Sequence, residues 1–290
     1  MSSSSSDTFT PAASPAPAPP TAAAIPPADV VASLRAAGCV FAEDEARLLV
    51  AAADTPDHLA ELVRRRISGL PLEHVLGWAE FRGLRVAVDA GVFVPRRRTE
   101  FLAEQAIALA RPLAARATAA VVVDLCCGSG ALGAALAAAL DRIELHAADI
   151  DPVAVACARR NVAAVGGRVY RGDLYDPLPA RLRGRVDVLV ANAPYVPTEA
   201  VGLLPPEARV HEPRVALDGG ADGLDVLRRV IAGAPAWLAS GGHLLFETSE
   251  EQGRRIVRTV ARAGLVARMT GSEELGATVV IGSRPDAGRG

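Results

Sequence analysis

An open, mostly parallel α/β sheet with helices on both faces is predicted for the larger part of this chain. A small helical domain and a linking β-hairpin should precede it. Three observations predict this. From Ala120 onward, short apolar runs alternate with helical stretches, as in successive βαβ units. The first run ends in a Gly-rich turn, Asp124-Leu125-Cys126-Cys127-Gly128-Ser129-Gly130, which opens an Ala-rich helix. Residues 29–77 instead carry helical periodicity.

Composition bounds the rest. With 290 residues, 50% of them hydrophobic and 22% charged, the chain can bury one large core and a small one. A net charge of -2 lacks the strongly basic footprint of a dedicated nucleic-acid binder, so no sequence-specific nucleic-acid partner is expected. Every basic residue is Arg, spread along the chain, which reads as composition bias and not as a phosphate site. Cys39, Cys126, Cys127 and Cys157 have no spacing suited to zinc or to a redox pair, so reduced thiols in a cytoplasmic protein and no metal site are expected. The apolar stretches are interrupted by charge, so no membrane span is expected, and the N-terminus lacks the features of a signal peptide.

In chain order, residues 1–28 are rich in Ser, Pro and Ala and read as a disordered tail. Residues 29–77 form the helical domain. Asp29 should cap a first helix that Gly38 stops; Glu43 to Ala53 and Asp57 to Ile67 supply two more, the last opened by Thr55-Pro56-Asp57. Arg64-Arg65-Arg66 reads as a solvated helix end. In the linker, 78–98, Trp78 to Phe81 and Leu84 to Val88 flank Arg82-Gly83 as a β-hairpin. The catalytic domain, 99–284, opens with a helix from Thr99 to Leu109. Then follow Ala120 to Leu125, Ala131 to Leu140, Glu144 to Asp149 and Pro152 to Val165. His243 to Glu247 and Ala277 to Ile281 are expected as an antiparallel pair around a helix at Gln252 to Ala263, with a short tail at 285–290.

Such sheets bind ligands beyond the carboxyl ends of their strands. Gly128 and Gly130 allow close backbone approach there. A dinucleotide loop can be laid on Gly128, Gly130 and Gly133, but Asp124 would then set negative charge beside phosphates. It suits a ligand bearing an ammonium, such as the amino-acid end of S-adenosylmethionine; a plain strand-to-helix turn is the rival. Asp149, at the end of the next strand in Ala148-Asp149-Ile150-Asp151, is placed to accept both ribose hydroxyls. Asp151 should cap the following helix. After the third strand, Asp173 can accept from an adenine amino group and Leu174 can cover the ring, with a simple turn as the alternative.

The apolar run Val186 to Ala191 leads into Asn192-Ala193-Pro194-Tyr195. The Asn192 side-chain oxygen and the Ala193 carbonyl can bind the hydrogens of a planar NH2 group and aim its nitrogen at a methyl donor, while Tyr195 stacks on the plane. That is positioning and electrostatic pre-organisation, with no base to activate a nucleophile. Alone, the tetrad is more often a turn.

In this order, the motifs resemble the S-adenosylmethionine-dependent protein (glutamine-N5) methyltransferases, which modify the GGQ-motif glutamine of peptide chain release factors. The resemblance spans about 30–283. It includes Pro71 to Gly77, Glu80-Phe81, Val94-Pro95-Arg96, Thr99-Glu100, the loop from Asp124 through Cys126 to Gly130, and the tetrad. Beyond these it takes in His211-Glu212-Pro213-Arg214 and the segment to Leu224. It implies a Rossmann-like class I methyltransferase sheet, S-adenosylmethionine as cofactor and a release factor as protein substrate. Asn192, Ala193, Pro194 and Tyr195 are the implied catalytic set. Asp124, Cys126, Gly128, Gly130, Asp149, Ile150, Asp173, Leu174 and Asn192 would hold the cofactor, and Arg96, Thr99, Glu100, Glu212 and Pro213 the substrate.

Two departures stand out. Ala193 replaces the usual first Pro of N-P-P-Y, although a backbone carbonyl is still supplied and Pro194 biases Ala193 toward an extended conformation. Phe246-Glu247-Thr248-Ser249 replaces a common Glu-hydrophobic-Gly. A paralogue acting on another protein or on a small molecule is the main alternative. Adenine-N6 methylation, which shares the tetrad, lacks a basic recognition domain here, and a cofactor-binding protein without catalysis is the remaining reading.

Overall fold

The computed structural model describes residues 28–114 and 118–286. The tail expected at 1–28 lies outside them except for Ala28, as do residues 287–290 of the expected C-terminal tail. Two compact units divide between Val63 and Arg64, earlier in the chain than the expected boundary after Gly77.

The first unit contains α1 (Ala28–Ala36), α2 (Ala42–Ala52) and most of α3 (Pro56–Ile67). Val30 and Leu34 of α1, and Ala42, Ala46 and Leu49 of α2, are buried at helical spacing. Asp29 lies within the first turn of α1, so it does not cap that helix. Gly38, at φ +89°, turns the chain out of α1. Thr55 Oγ1 caps α3 by accepting the His58 N–H at 3.1 Å.

The second unit begins with α4 (Leu72–Leu76) and the hairpin β1 (Trp78–Phe81) and β2 (Leu84–Ala87). Arg82 and Gly83 both have positive φ, as a two-residue hairpin turn of matching twist demands. The elements α5 (Thr99–Ala114), β3 (Ala120–Leu125), α6 (Ala131–Ala139), β4 (Ile143–Asp149) and α7 (Pro152–Val162) follow. Next come β5 (Arg168–Arg171), β6 (Val186–Ala191), α8 (Pro206–His211), α9 (Asp225–Trp237) and β7 (Leu238–Thr248). The unit closes with α10 (Glu250–Arg262), β8 (Val266–Ser272) and β9 (Ala277–Ser283). Asp151 caps α7 as expected, its Oδ1 taking the Val153 N–H at 2.8 Å. α5 runs beyond Leu109 and carries Pro112 in its last turn.

The sheet has the order β5-β4-β3-β6-β7-β9-β8. The strands from β5 to β7 are parallel, and β9 pairs antiparallel with β7 and with β8. β3, β6 and β7 are buried between two apolar layers. Leu102 and Ala106 of α5, Leu132 and Leu136 of α6 and Val155 of α7 pack with Val122 and Val190 in one. Leu227 and Ile231 of α9 and Ile256 of α10 pack with Val123 and Leu189 in the other. That explains the unbroken burial along β3, where an alternating strand would bury only one face. Strand β8 was not expected: it is an edge strand, largely exposed, and its sequence Val266-Ala-Arg-Met-Thr-Gly-Ser shows no apolar alternation.

Asn161 of α7 ties the hairpin to the Gly-rich loop. Its Oδ1 accepts the Ala87 N–H at 2.9 Å, and its Nδ2 donates to Ala87 O and Ser129 O, each at 2.8 Å. Replacing it strands the Ala87 N–H and Ser129 O in a half-buried place, while Ala87 O keeps the Cys157 thiol at 3.1 Å. Asn161→Ala is expected to lower unfolding free energy by about 1–3 kcal/mol, as read by urea denaturation.

Candidate active site

Four strands end at one level. Ala148 of β4 pairs with Leu125 of β3, Leu125 with Ala191 of β6, and Ala191 with Phe246 of β7. The next residue on each strand is therefore Asp149, Cys126, Asn192 and Glu247. A parallel sheet holds such a row in register through its backbone ladder, so chemistry carried by four distant segments converges without long side chains.

Between the first three of these ends and the loop after β5 lies a cavity of about 180 Å³. Asp124, Asp149 and Asp173 all line it, and Arg229 is the one Arg or Lys among its lining residues. Asp124 is almost wholly buried, and burial pushes its carboxyl up to about 7 in spite of the Gly133 N–H donated to Oδ2 at 3.0 Å. Asp149 is also pushed up by burial, against the N–H groups of Asp151 (2.9 Å to Oδ1) and Gly128 (2.8 Å to Oδ2). Asp173 Oδ2 accepts from Arg229 Nη2 at 2.7 Å. Each carboxylate oxygen that takes one N–H keeps further acceptor capacity. The cavity is thus prepared for a ligand with positive charge and several hydrogen-bond donors.

The loops around it are strained in the places where they touch it. Cys126 (φ +55°) and Leu174 (φ +47°) line the cavity in the left-handed region, where a side chain costs about 1–2 kcal/mol. Burial pushes the thiols of Cys126 and Cys127 up, so neither is a ready nucleophile. Gly130, at φ +77°, faces α7 closely: a Cβ added there would stand 3.1 Å from Ala158 Cβ. It permits the helix to leave the loop but does not line the cavity.

The segment before α5 is held by two ion pairs. Arg96 Nη2 donates to both oxygens of Glu212 at 2.6 and 2.7 Å, and Glu212 Oε1 also accepts the Val94 N–H at 3.1 Å. Burial raises the Glu212 carboxyl, and Arg96 opposes that rise. Arg98 Nε donates to Glu247 Oε1 at 2.8 Å, and the Tyr195 hydroxyl donates to the same oxygen at 3.0 Å. Asn192 Nδ2 donates to Thr99 Oγ1 at 3.4 Å, which leaves Asn192 Oδ1 to accept from a ligand.

Of the residues expected from sequence, Asp124, Cys126, Gly128, Asp149, Ile150, Asp173, Leu174, Asn192, Pro194, Thr99 and Pro213 all line the cavity. Gly130, Ala193, Tyr195, Arg96, Glu100 and Glu212 do not. Ala193 is buried within the tetrad, and Arg96 and Glu212 are bound to each other. Glu100 faces the hairpin, where its Oε1 accepts the Arg82 N–H at 3.1 Å. Sequence reasoning missed Phe81, Phe93, Arg229 and Glu247. Phe93 directly precedes the Val94-Pro95-Arg96 motif, whereas Arg229 arrives from the middle of α9 with no local signal.

A family model described as the methyltransferase small domain matches residues 84–205. A release factor glutamine methyltransferase from Geobacter sulfurreducens is 38% identical over 234 residues, 79% of each chain. A 4-amino-L-phenylalanine/4-methylamino-L-phenylalanine methyltransferase from Streptomyces pristinaespiralis is 38% identical over 204 residues, 69% of this chain and 68% of that one. Among solved structures, a methyltransferase from Pyrococcus furiosus shares the fold, with a TM-score of 0.52 at 15% identity over 71% of this chain and 91% of that one.

The Glu212 clasp makes its own prediction. Glu212→Ala leaves the Val94 N–H and the Arg96 guanidinium without their partner, so stability should fall by about 1–3 kcal/mol. Hydrogen exchange at Val94 should accelerate with it.

Proposed function

The chain belongs to the release factor glutamine methyltransferase family, and from that premise we propose that it binds S-adenosylmethionine in this cavity and methylates a glutamine side-chain amide. The GGQ motif of a peptide chain release factor is the proposed target. The observation that carries the reading is the shared level of Cys126, Asp149 and Asn192 at the ends of adjacent strands. It supports the reading because Cys126, Asp149 and Asn192, the residues assigned to the cofactor loop, the ribose and the amide, all line one cavity.

The lining residues fit the cofactor. Asp124 is assigned to its ammonium, Asp149 to the ribose hydroxyls, and Asp173 to the adenine amino group through the oxygen that Arg229 does not occupy. Ile150 and Leu174 flank the ring, and the backbone at Cys126 and Gly128 gives close approach. When bound, the cofactor would supply an electrophilic methyl on a sulfonium, whose sulfur would keep the electron pair of the broken S–C bond and leave as a neutral thioether. The chain's own contribution is to present the amide. An amide nitrogen is a poor nucleophile because its lone pair is delocalised into the carbonyl. Asn192 Oδ1 and the Ala193 carbonyl accept its two N–H groups and favour the positive charge that grows on nitrogen as the new N–C bond forms. One of those protons then leaves to solvent. Pro194 and Phe93 wall the cavity, and Tyr195 is set behind Pro194 by its bond to Glu247.

A second reading has one observation in its favour: the Streptomyces relative acts on an aryl amine, which is also a planar NH2 group. Incubation with labelled cofactor separates the two. Label on a single glutamine of an intact release factor, located by peptide mass spectrometry, is expected. Label on 4-amino-L-phenylalanine and on no factor would replace the glutamine reading.

Asp124 gives the pH dependence. Its carboxyl is raised to about 7 in the free protein, and only the anion pairs with an ammonium. Cofactor affinity should therefore weaken as pH falls below that value, by up to about tenfold per unit, and level off above it. Asp124→Asn should bind weakly at every pH and show no such slope in calorimetry.

A further inference from the structure

Glu247 follows Phe246, which pairs with Ala191 just before Asn192. Its side chain is buried, yet its hydrogen bonds differ from those of the other buried carboxylates near the cavity. Asp124 and Glu212 each accept a backbone N–H, from Gly133 and Val94. Among the described residues Glu247 accepts none, and its only partners there are the Arg98 guanidinium and the Tyr195 hydroxyl, both on Oε1. Its Oε2 is buried without any partner, alone in this among the described residues. A carboxylate kept for the fold would use both oxygens, because a dry unpaired acceptor is costly. Both partners here are side chains of the segments that border the cavity. Arg98 also lies over the Tyr195 ring, 5.7 Å from its centroid.

We infer that Glu247 is a positioning residue for methyl transfer: it fixes the Tyr195 ring, and with it the tetrad, by holding the phenol and Arg98 together. This inference rests on the glutamine reading of the site. Glu247 does not touch the reacting atoms. Its loss should let the ring and the Asn192-to-Tyr195 loop drift, and small misplacements of a reacting group cost rate steeply.

The test compares Glu247→Gln, Tyr195→Phe and the double variant in steady-state methyl transfer to release factor. Each single variant should lose about 10–100-fold in kcat while KM for S-adenosylmethionine stays within about twofold. The double variant should be no worse than the poorer single, because both changes break one linkage. Arg98→Gln enters the cluster from its half-exposed side and carries the same expectation if Glu247→Gln does not fold. A kcat within about twofold of the parent, or losses that multiply in the double variant, would overturn the inference. A parent that transfers no methyl to glutamine overturns the glutamine reading instead. In that event tyrosine-labelled NMR decides, since the chain has 3 Tyr and Tyr195→Phe assigns one signal. Glu247→Gln should shift that signal and spare the others; an unmoved signal would sink the inference.

Discussion

The backbone ladder between β3 and β6 is the constraint from which the rest of the catalytic unit follows. The chain winds outward from β3 through β4 to β5, then returns to lay β6 against the other side of β3. At that reversal the connections leave in opposite directions, and a crevice opens between the strand ends. Because Leu125 is level with Ala191, the Gly-rich loop and the Asn192 tetrad leave the sheet side by side. A shift of one residue would turn every side chain of β6 to the other layer. The burial of Val190 in one apolar layer and Leu189 in the other prevents it.

Onto that row the fold adds a lining that is mostly apolar but carries costly carboxylates. Asp124 is a buried carboxylate and Asp149 a half-buried one, and their charges are mutually unfavourable. Cys126 and Leu174 sit in a backbone region that resists side chains. Strain and unmet charge of this kind gather where a ligand repays them. The segment from Val94 to Thr99 is held on the other side by Glu212, Glu247 and Asn192. The cavity wall is therefore set before any substrate arrives, which is what an enzyme that works by presentation and not by a strong base requires.

Much of this was legible in the residues. Strand order could not be read, but the alternation from Ala120 showed βαβ units, and Asp124, Asp149 and Asn192 announced themselves by standing where an apolar run stops. Local chemistry sufficed there because each signal lies within ten residues of its strand. Where the signal was non-local, sequence reading stopped. Arg229 meets Asp173 from α9, and no spacing marks that encounter. Glu100 sits in a motif that pointed to substrate, yet its carboxylate serves the hairpin turn at Arg82. Strand β8 lacks apolar alternation because an edge strand has little to bury, and Cys126 gave no hint that it would occupy a glycine-like conformation.

The central claim is that Asn192 presents the acceptor nitrogen while the carboxylates hold the cofactor. Its most direct test is a single-turnover measurement on Asn192→Ala preloaded with S-adenosylmethionine. The account predicts that transfer to release factor falls by at least about 100-fold, while the affinity for cofactor in calorimetry changes by less than about tenfold. Transfer at the parent rate by that variant would contradict it.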